Sequence, residues 1–453
     1  MPSDDVTQVL AGSLGHFWEW SGTPADDVIT GTRGGYLDID GGAVRVNTLV
    51  EDDDFDGGRD LGFGDQAQAL VGILPSGTVM VTGLGPTGQA LRFGNHAAAS
   101  TRVYRGRNIV FGIQNLRDVR SPMLKAASAE FPGLLRWAGI PYTDVNADHD
   151  EAGRVQSARI ALLPVPTLPS GRVRNGLRIE VDMRWRFTES DEQRSIETRL
   201  VIRCVSSQPV DADELVRALD HARFALVLAF RGWIPAAPGL ATADLRRGAA
   251  KWDAAPEFWS SRLAEHPKGA RTARLSGLPY FTLADLGGAR GLARWIQLCE
   301  DNRRVIQPLL MFHRNGQTSV EDHIIAMCSA SEYLVASQGK AGGWQDVHNK
   351  SGGGLGKLRV LAARLGAPWT DFVGDLDCWA DLLWKAYTDN KHYQKSTLDL
   401  PTLHCLAASA ELLLTCALLD AAAWDQKISK RFLQHHELHA LREHLRRLTA
   451  REA

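Results

Sequence analysis

The segment Leu177–Phe187, LRIEVDMRWRF, decides how the first half of the chain folds. Its apolar residues Leu, Ile, Val, Met, Trp and Phe occupy every second position, and Arg, Glu or Asp stands between them. Alternate side chains of a β-strand point to opposite faces, so this period of two gives one apolar face and one polar face. The segment therefore predicts a half-buried strand of the kind that antiparallel sheets contain.

Other short apolar segments fill the chain up to about residue 205, and Gly or Asp-Gly turns separate them. They read GGYLDID, AVRVNTLV, ALVGIL, TVMVTGL, STRVYRGRNIVFG, SARIALLPV and ETRLVIRCV. Evenly spaced strands and turns favour a sandwich or an open barrel over alternating strands and helices. One helix is predicted after them, because Asp211 and Glu214 have the spacing of a capping box and an apolar stripe follows.

From about residue 286 the apolar residues recur with the period of a helix. Helices are predicted over residues 289–312, 319–337, 356–366, 375–388, 401–424 and 427–449. The predicted fold class is therefore α+β. It has a mostly antiparallel, β-sandwich-like domain over residues 1–285 and an all-helical bundle over residues 286–453.

The composition describes an ordinary soluble globular protein, with 453 residues and a formal net charge of −2. This charge gives no global basic field for nucleic acid, and the acidic start of the chain lacks the apolar core of a signal peptide. Polar residues interrupt the longest apolar run, Leu400–Trp424, so it predicts a buried helix, and no membrane partner is expected. None of the six Cys forms a Cys-x-x-Cys pair, which predicts free thiols and a cytoplasmic location.

Three motifs are incomplete versions of known ligand sites. Asp52–Gly57 begins like a calcium loop, yet position twelve is Phe63 instead of a bidentate Glu. Ser351–Leu358 resembles a phosphate-binding loop, but Leu replaces the Ser or Thr that holds magnesium, and no strand precedes it. His435 and His439 stand four apart in a predicted helix; a solvated basic face is favoured there, with phosphate contact or a shared metal as alternatives. We therefore expect no metal and no cofactor.

The stretch WKAYTDNKHY at residues 384–393 concentrates the ionisable groups of the helical part. On a helix, Lys385, Asp389 and His392 would lie on one face, where Asp389 is placed to pair with Lys385. An imidazole moves protons near neutral pH, and a lysine neutralises a phosphate oxyanion. This set suits metal-free cleavage of a phosphodiester by a 2′-hydroxyl nucleophile. The alternative interpretation is a polar helix end followed by a loop.

The order of several motifs resembles a known architecture. The N-terminal motifs are HFWEWSGTPADDVITGTRGGYLDIDGGAVRVNTL at 16–49, ALVGILPSGTVMVTGL at 69–84, YRGRNIVFG at 104–112 and FPGLLRW at 131–137. They resemble the N-terminal domain of the ApeA-like family of bacterial anti-phage proteins. The C-terminal helices resemble the HEPN domain of that family, in which a helix such as Val320–Val335, carrying Ala-Ser-Glu, faces the helix that ends in the active motif. The resemblance covers nearly the whole chain.

The resemblance also implies a site and a reaction. HEPN nucleases carry an Arg, four to six further residues and then a His; His392 matches the His, and Lys385 is the only basic residue in register with the Arg. The family implies a homodimer that cleaves RNA, such as tRNA, without metal, leaving a 2′,3′-cyclic phosphate and a 5′-hydroxyl. His392 would be the general base or acid, Lys385 and Lys391 would hold the phosphate, and Asn390 would orient them. The remaining substrate-binding candidates are Asp389, Tyr393 and Lys395.

The same resemblance assigns the N-terminal domain to sensing a phage-encoded trigger or restraining the nuclease. Two alternatives stay open. Lysine cannot clamp a phosphate with two parallel hydrogen bonds as arginine does, so the helical domain is alternatively a degenerate module that dimerises and binds RNA without cutting it. The other is a ligand-binding sandwich whose aromatic residues, among them Phe17 and Trp18, line a groove, although core positions are favoured for most of these aromatics.

Overall fold

Strands occupy most of the first half of the chain and helices most of the second, which confirms the predicted α+β class. The computed structural model describes residues 10, 12–20, 33–40, 43–50, 68–85, 88–93, 98–114, 119, 121–140, 143–162, 170–189, 194–243, 256–316, 319–340, 353–392, 397–423 and 427–450. The acidic Asp52–Gly57 motif lies outside these residues.

The described residues form two units, and each unit is assembled from several segments of the chain. The first consists of Met1–Pro132, Asn175–Asp220 and Pro235–Glu265. The second consists of Gly133–Arg174, His221–Ile234 and His266–Ala453.

The strands are β1 (Ser13–Glu19), β2 (Arg33–Asp40), β3 (Ala43–Val50), β4 (Ala69–Leu74), β5 (Gly77–Thr82), β6 (Gly88–Phe93), β7 (Ala98–Gly106), β8 (Asn108–Ile113), β9 (Leu124–Glu130), β10 (Thr143–His149), β11 (Val155–Leu162), β12 (Gly171–Arg172), β13 (Leu177–Glu189), β14 (Arg194–Val210), β15 (Gly239–Ala243) and β16 (Glu257–Ser260). In the first unit they follow the order β13-β14-β9-β15-β16-β8-β5-β4-β1-β2-β3-β7-β6. Each strand in this order pairs antiparallel with its neighbour, as the alternating pattern of Leu177–Phe187 predicts.

The central strands β4 and β5 are buried on both faces, whereas β3 shows the period of two in its burial. In β3, Val44 and Val46 are fully buried, whereas the alternate residues Arg45 and Asn47 are only partly buried. Phe17 from β1 packs over Gly72 of β4, where a β-carbon would come within 2.5 Å of the Phe17 ring. The glycine thus gives the aromatic ring its place in the core. Phe17 and Trp18 are 1% and 7% exposed, so neither lines an open groove.

The helices are α1 (Leu134–Ala138), α2 (Ala212–Phe230), α3 (Ser261–Ala264), α4 (Gly288–Asp301), α5 (Arg303–Asn315), α6 (Val320–Lys340), α7 (Gly353–Leu365), α8 (Ala367–Val373), α9 (Leu376–Lys391), α10 (Leu400–Ala423), α11 (Ile428–Leu433) and α12 (His439–Ala450). At two helix starts a side chain accepts a hydrogen bond from a backbone N–H. The Ser319 hydroxyl accepts from the Asp322 N–H at the start of α6, and Asp211 accepts from the Asp213 N–H before α2.

Helix α10 forms the centre of the second unit and packs against α4, α6, α7 and α11. Among the described residues it is the one helix long and apolar enough to cross a membrane, and 78% of its most apolar window is buried inside the protein. Such burial is typical of a core helix in a soluble protein, in agreement with the predicted buried helix. All six cysteines are free thiols, as predicted, and four of them are buried.

The single helix predicted over 289–312 is wrong, because the chain breaks at Asn302 into α4 and α5. The buried Asn302 amide donates to the Leu298 carbonyl and accepts a hydrogen bond from the Ser337 hydroxyl. An asparagine side chain that bonds the backbone of its own turn competes with the helical pattern, so it ends one helix and starts the next.

The helix predicted over 427–449 is also broken. His435 has an extended backbone, and a short 3₁₀ turn, His436–Leu438, separates α11 from α12. The His435 ring stacks on Tyr280 with 3.9 Å between centroids, and the His439 Nδ1 lies 2.8 Å from an Arg442 nitrogen. The two imidazoles therefore do not share a helix face, which removes the premise of a metal between them. In the part of the chain that the structure describes, no group of three His, Cys, Asp or Glu side chains has metal-binding geometry.

Candidate active site at the end of helix α9

Helix α9 positions the candidate residues. It begins at Asp375, whose carboxylate accepts from the Cys378 N–H at 2.9 Å. Its apolar face is buried, and the indole N–H of Trp379 donates to the Ser409 hydroxyl of α10 at 3.0 Å. The helix ends at Lys391, and the N–H of His392 closes the last turn by donating to the Thr388 carbonyl at 3.0 Å. Residues 384–391 of the polar stretch therefore form the last two turns of a helix anchored in the core.

The exposed end of α9 carries the predicted groups. Lys385, Lys391 and His392 are exposed, and Asp389 and Asn390 are half-buried. The helical spacing places Lys385, Asp389 and His392 on one side, but no ion pair within 4.0 Å joins Lys385 to Asp389. Both charges thus remain available to other partners. The two further predicted substrate-binding residues, Tyr393 and Lys395, lie outside the described residues.

Lys391 is held by its own helix. Its ammonium donates to the Tyr387 hydroxyl at 3.1 Å and lies 5.1 Å from the centroid of the Tyr387 ring. Tyr387 is buried, and its hydroxyl is 3.4 Å from that of Ser329 on α6. The hydrogen bond with Tyr387 raises the pKa of Lys391, and the Glu332 carboxylate adds a smaller contribution in the same direction. Lys391 is therefore a fixed cation rather than a freely moving chain.

Two charged groups that the sequence analysis did not place in the site, Glu332 and Lys357, lie on helices that pack against α9. The Lys357 ammonium of α7 lies 4.0 Å from the Glu332 carboxylate of α6. A β-carbon on Gly354, in the first turn of α7, would come within 2.1 Å of the Trp384 indole and 2.9 Å of a Glu332 carboxylate oxygen. Helices α6, α7 and α9 pack against one another here, and the glycine lets α7 approach so closely. We call Glu332, Lys357, Tyr387 and Lys391 the lysine–glutamate cluster.

A second ionic cluster lies in the core of the same unit. Glu411 of α10 is 1% exposed and lies 3.1 Å from an Arg231 guanidinium nitrogen. The Nε2 atoms of His313 and His323 are 3.5 Å and 3.9 Å from the same carboxylate. Arg231 has a φ of 47°, a left-handed conformation that is uncommon for a residue other than glycine. The ion pair fixes this end of α2.

The charges of this buried cluster follow from its surroundings. Burial lowers the pKa of His313 to about 4 and also lowers that of His323. Burial alone would raise the pKa of Glu411, but the charge of Arg231, with smaller contributions from His313, His323 and Arg271, outweighs burial and lowers that pKa. At neutral pH the cluster is therefore an arginine–glutamate ion pair beside two neutral imidazoles. Because its side chains are at most 11% exposed, this cluster belongs to the core and not to the candidate site at the end of α9.

No known protein family, characterised protein or solved structure matches this chain. The resemblance to ApeA-like and HEPN proteins thus remains a hypothesis drawn from the motifs, and the geometry of helix α9 is what supports a function.

Proposed function

We propose that this protein is a metal-independent endoribonuclease of the HEPN type that acts in anti-phage defence, with His392 as its proton-transfer group. The observation that supports this proposal is an exposed imidazole at the end of a core-anchored helix, with Lys391 directly before it and Lys385 on the same side. A histidine, two lysines and a half-buried amide suit phosphodiester chemistry that needs no metal.

In the proposed reaction, the 2′-hydroxyl of one nucleotide attacks the adjacent phosphorus. The bond from the 2′-oxygen to phosphorus forms, and the bond from phosphorus to the 5′-oxygen breaks. A base accepts the proton of the 2′-hydroxyl, and an acid gives a proton to the departing 5′-oxygen, which leaves a 2′,3′-cyclic phosphate and a 5′-hydroxyl. Lys385 and Lys391 would neutralise the phosphate, and Asn390 would orient the reacting groups.

One imidazole cannot be both the base and the acid in a single step. The proposal therefore includes a homodimer in which two copies of His392 serve one cleft. The first unit would sense a phage-encoded trigger or restrain the nuclease, and RNA such as tRNA in the cytoplasm would be the substrate.

A second candidate function is a degenerate HEPN module that dimerises and binds RNA without cutting it. The departure at Lys385 favours this alternative, because lysine is a point charge where the family pattern has arginine. Both candidates make the end of α9 an RNA-binding surface, and they differ only in the proton transfer.

The test is incubation of purified protein with total bacterial RNA in EDTA, followed by sequencing of the new 5′-hydroxyl ends. His392→Ala should lower the cleavage rate by about 10²–10⁴-fold. His266→Ala is the matched control, because His266 is an exposed imidazole of the same unit away from α9. Equal cleavage by His392→Ala and wild type would exclude the proposed catalysis, and cleavage that stops in EDTA would indicate a metal nuclease.

A further inference from the structure

The Glu332 carboxylate lies where nearby lysine ammonium groups can bind an anion. The Lys357 ammonium lies 4.0 Å from one of its oxygens, and the first turn of α7 approaches the other. Packing places the Lys391 ammonium beside the same helix, because it bonds to the Tyr387 hydroxyl, which lies 3.4 Å from the Ser329 hydroxyl one turn before Glu332 on α6. The carboxylate also contributes to raising the pKa of Lys391. One carboxylate thus lies close to two lysines that come from different helices.

The cluster is only partly shielded from water. The side chains of Glu332 and Lys357 are 26% and 23% exposed, and Lys391 is exposed. The Tyr387 hydroxyl fixes the Lys391 ammonium from the buried side, so the other side of the ammonium faces outward. An anion that arrives from solvent therefore meets two cations whose positions are set by packing. It also meets the carboxylate that already partly neutralises them.

We propose that Glu332 is a built-in competitor for the RNA phosphate: its carboxylate interacts with Lys357 and Lys391 in the resting protein and must give way when a phosphodiester binds there. This inference rests on the proposed function for its ligand, RNA, and adds a means of holding the site at low affinity. Phosphate oxygens accept lysine hydrogen bonds as a carboxylate does, so the two anions compete for the same donors.

The expected effect is modest and has a distinctive salt dependence. A partly exposed ion pair contributes little free energy, so removing the competing charge should tighten RNA binding about two- to fivefold. If the freed lysines then bind one more phosphate, the slope of log affinity against log salt should steepen by about 0.7, the value for one contact to a single strand. Removing a negative charge elsewhere on the surface frees no lysine at this site, so it should leave the salt slope unchanged.

The experiment measures the binding of a fluorescent single-stranded oligoribonucleotide to the full chain in EDTA, over a series of salt concentrations. The probe carries 2′-O-methyl groups in place of its 2′-hydroxyls, so the proposed reaction cannot consume it whatever the role of His392. Glu332→Gln is compared with Glu321→Gln, which makes the same charge change at an exposed position of the same helix. Glu332→Gln combined with Lys391→Met tests whether the gain depends on the lysine.

The expected result is tighter binding and a steeper salt slope for Glu332→Gln alone, with both lost when Lys391→Met is added. Binding by Glu332→Gln that equals that of Glu321→Gln would overturn the proposal, and so would a gain that persists without Lys391. The outcome is separate from that of the cleavage test. If His392→Ala cleaves like wild type while Glu332→Gln still binds more tightly, the competitor stands and the proposed catalysis falls.

Discussion

Glu411→Gln should destabilise the protein strongly, because it removes the charge that compensates Arg231 inside the helical core. An Arg231 guanidinium nitrogen and a Glu411 carboxylate oxygen are 3.1 Å apart, and the two side chains are 11% and 2% exposed. Glutamine keeps the size and hydrogen-bonding oxygen of glutamate but leaves the guanidinium without a counter-charge. Removing one partner of a buried ion pair costs about 3–5 kcal/mol, so we expect a loss near the lower end of that range.

Urea unfolding at neutral pH, followed by circular dichroism, measures this loss as a lower midpoint with an unchanged slope. The control is Glu321→Gln, a surface substitution of the same kind that should change the free energy of unfolding by less than about 0.5 kcal/mol. A double-mutant cycle with Arg231→Met isolates the pair, and a coupling energy of about 1–3 kcal/mol is expected. A loss below about 1 kcal/mol for Glu411→Gln would refute the assignment of this pair as the electrostatic anchor of the core.

Three further outcomes are expected. Folding lowers the pKa of His313 from 6.5 to about 4, so on acidification the unfolded chain binds a proton at this imidazole before the folded chain does. The free energy of unfolding should therefore fall as the pH drops from about 6.5 towards 4, by up to about 3 kcal/mol. A free energy of unfolding that stays constant over that range would contradict the burial argument. Gly72→Ala should cost about 1–3 kcal/mol because its β-carbon meets the Phe17 ring, whereas Gly34→Ala, with open space around it, should leave the thermal midpoint nearly unchanged. Light scattering at micromolar concentration should give the mass of a dimer, and a monomer would count against the shared cleft in the proposed reaction.

The sequence correctly predicted the strands and helices whose own apolar period matches the face that is buried in the structure. The alternation of Leu177–Phe187 predicted an antiparallel strand, and β13 forms it. The change of period at about 286 predicted the start of α4 at Gly288 closely, because an amphipathic helix carries its own signal. The breaks at Asn302 and His435 interrupt stretches whose apolar period is continuous, so the period did not reveal them. Asn302 bonds the Leu298 carbonyl of its own turn and the Ser337 hydroxyl of α6, and His435 stacks on the distant Tyr280. The short helix α8 was not predicted, because Ala367–Val373 is too brief for periodicity to mark it.

Some residues at the candidate site could be chosen from the sequence, and others are brought there only by helix packing. His392, Lys385 and Lys391 were predicted because they belong to one short stretch of one helix. The bond between Tyr387 and Lys391 also has a local signal, a spacing of four residues, which sequence reasoning used only for Lys385 and Asp389. Glu332 and Lys357 come from α6 and α7, and only the packing of three helices brings them to Lys391. The spacing of these three residues along the chain does not predict that they lie close together.

The interleaving of the two units has a consequence for the order in which the protein is made. A ribosome releases the chain from its N-terminus, so the first unit has all of its segments once Glu265 has emerged. At that moment Gly133–Arg174 and His221–Ile234 belong to a unit whose largest segment, His266–Ala453, has not yet emerged. The apolar end of α2, with Leu226 and Val227 buried in the finished protein, must wait for its partners. A truncated translation product would expose this surface, and the nuclease half proposed here could form only after the β unit was already complete.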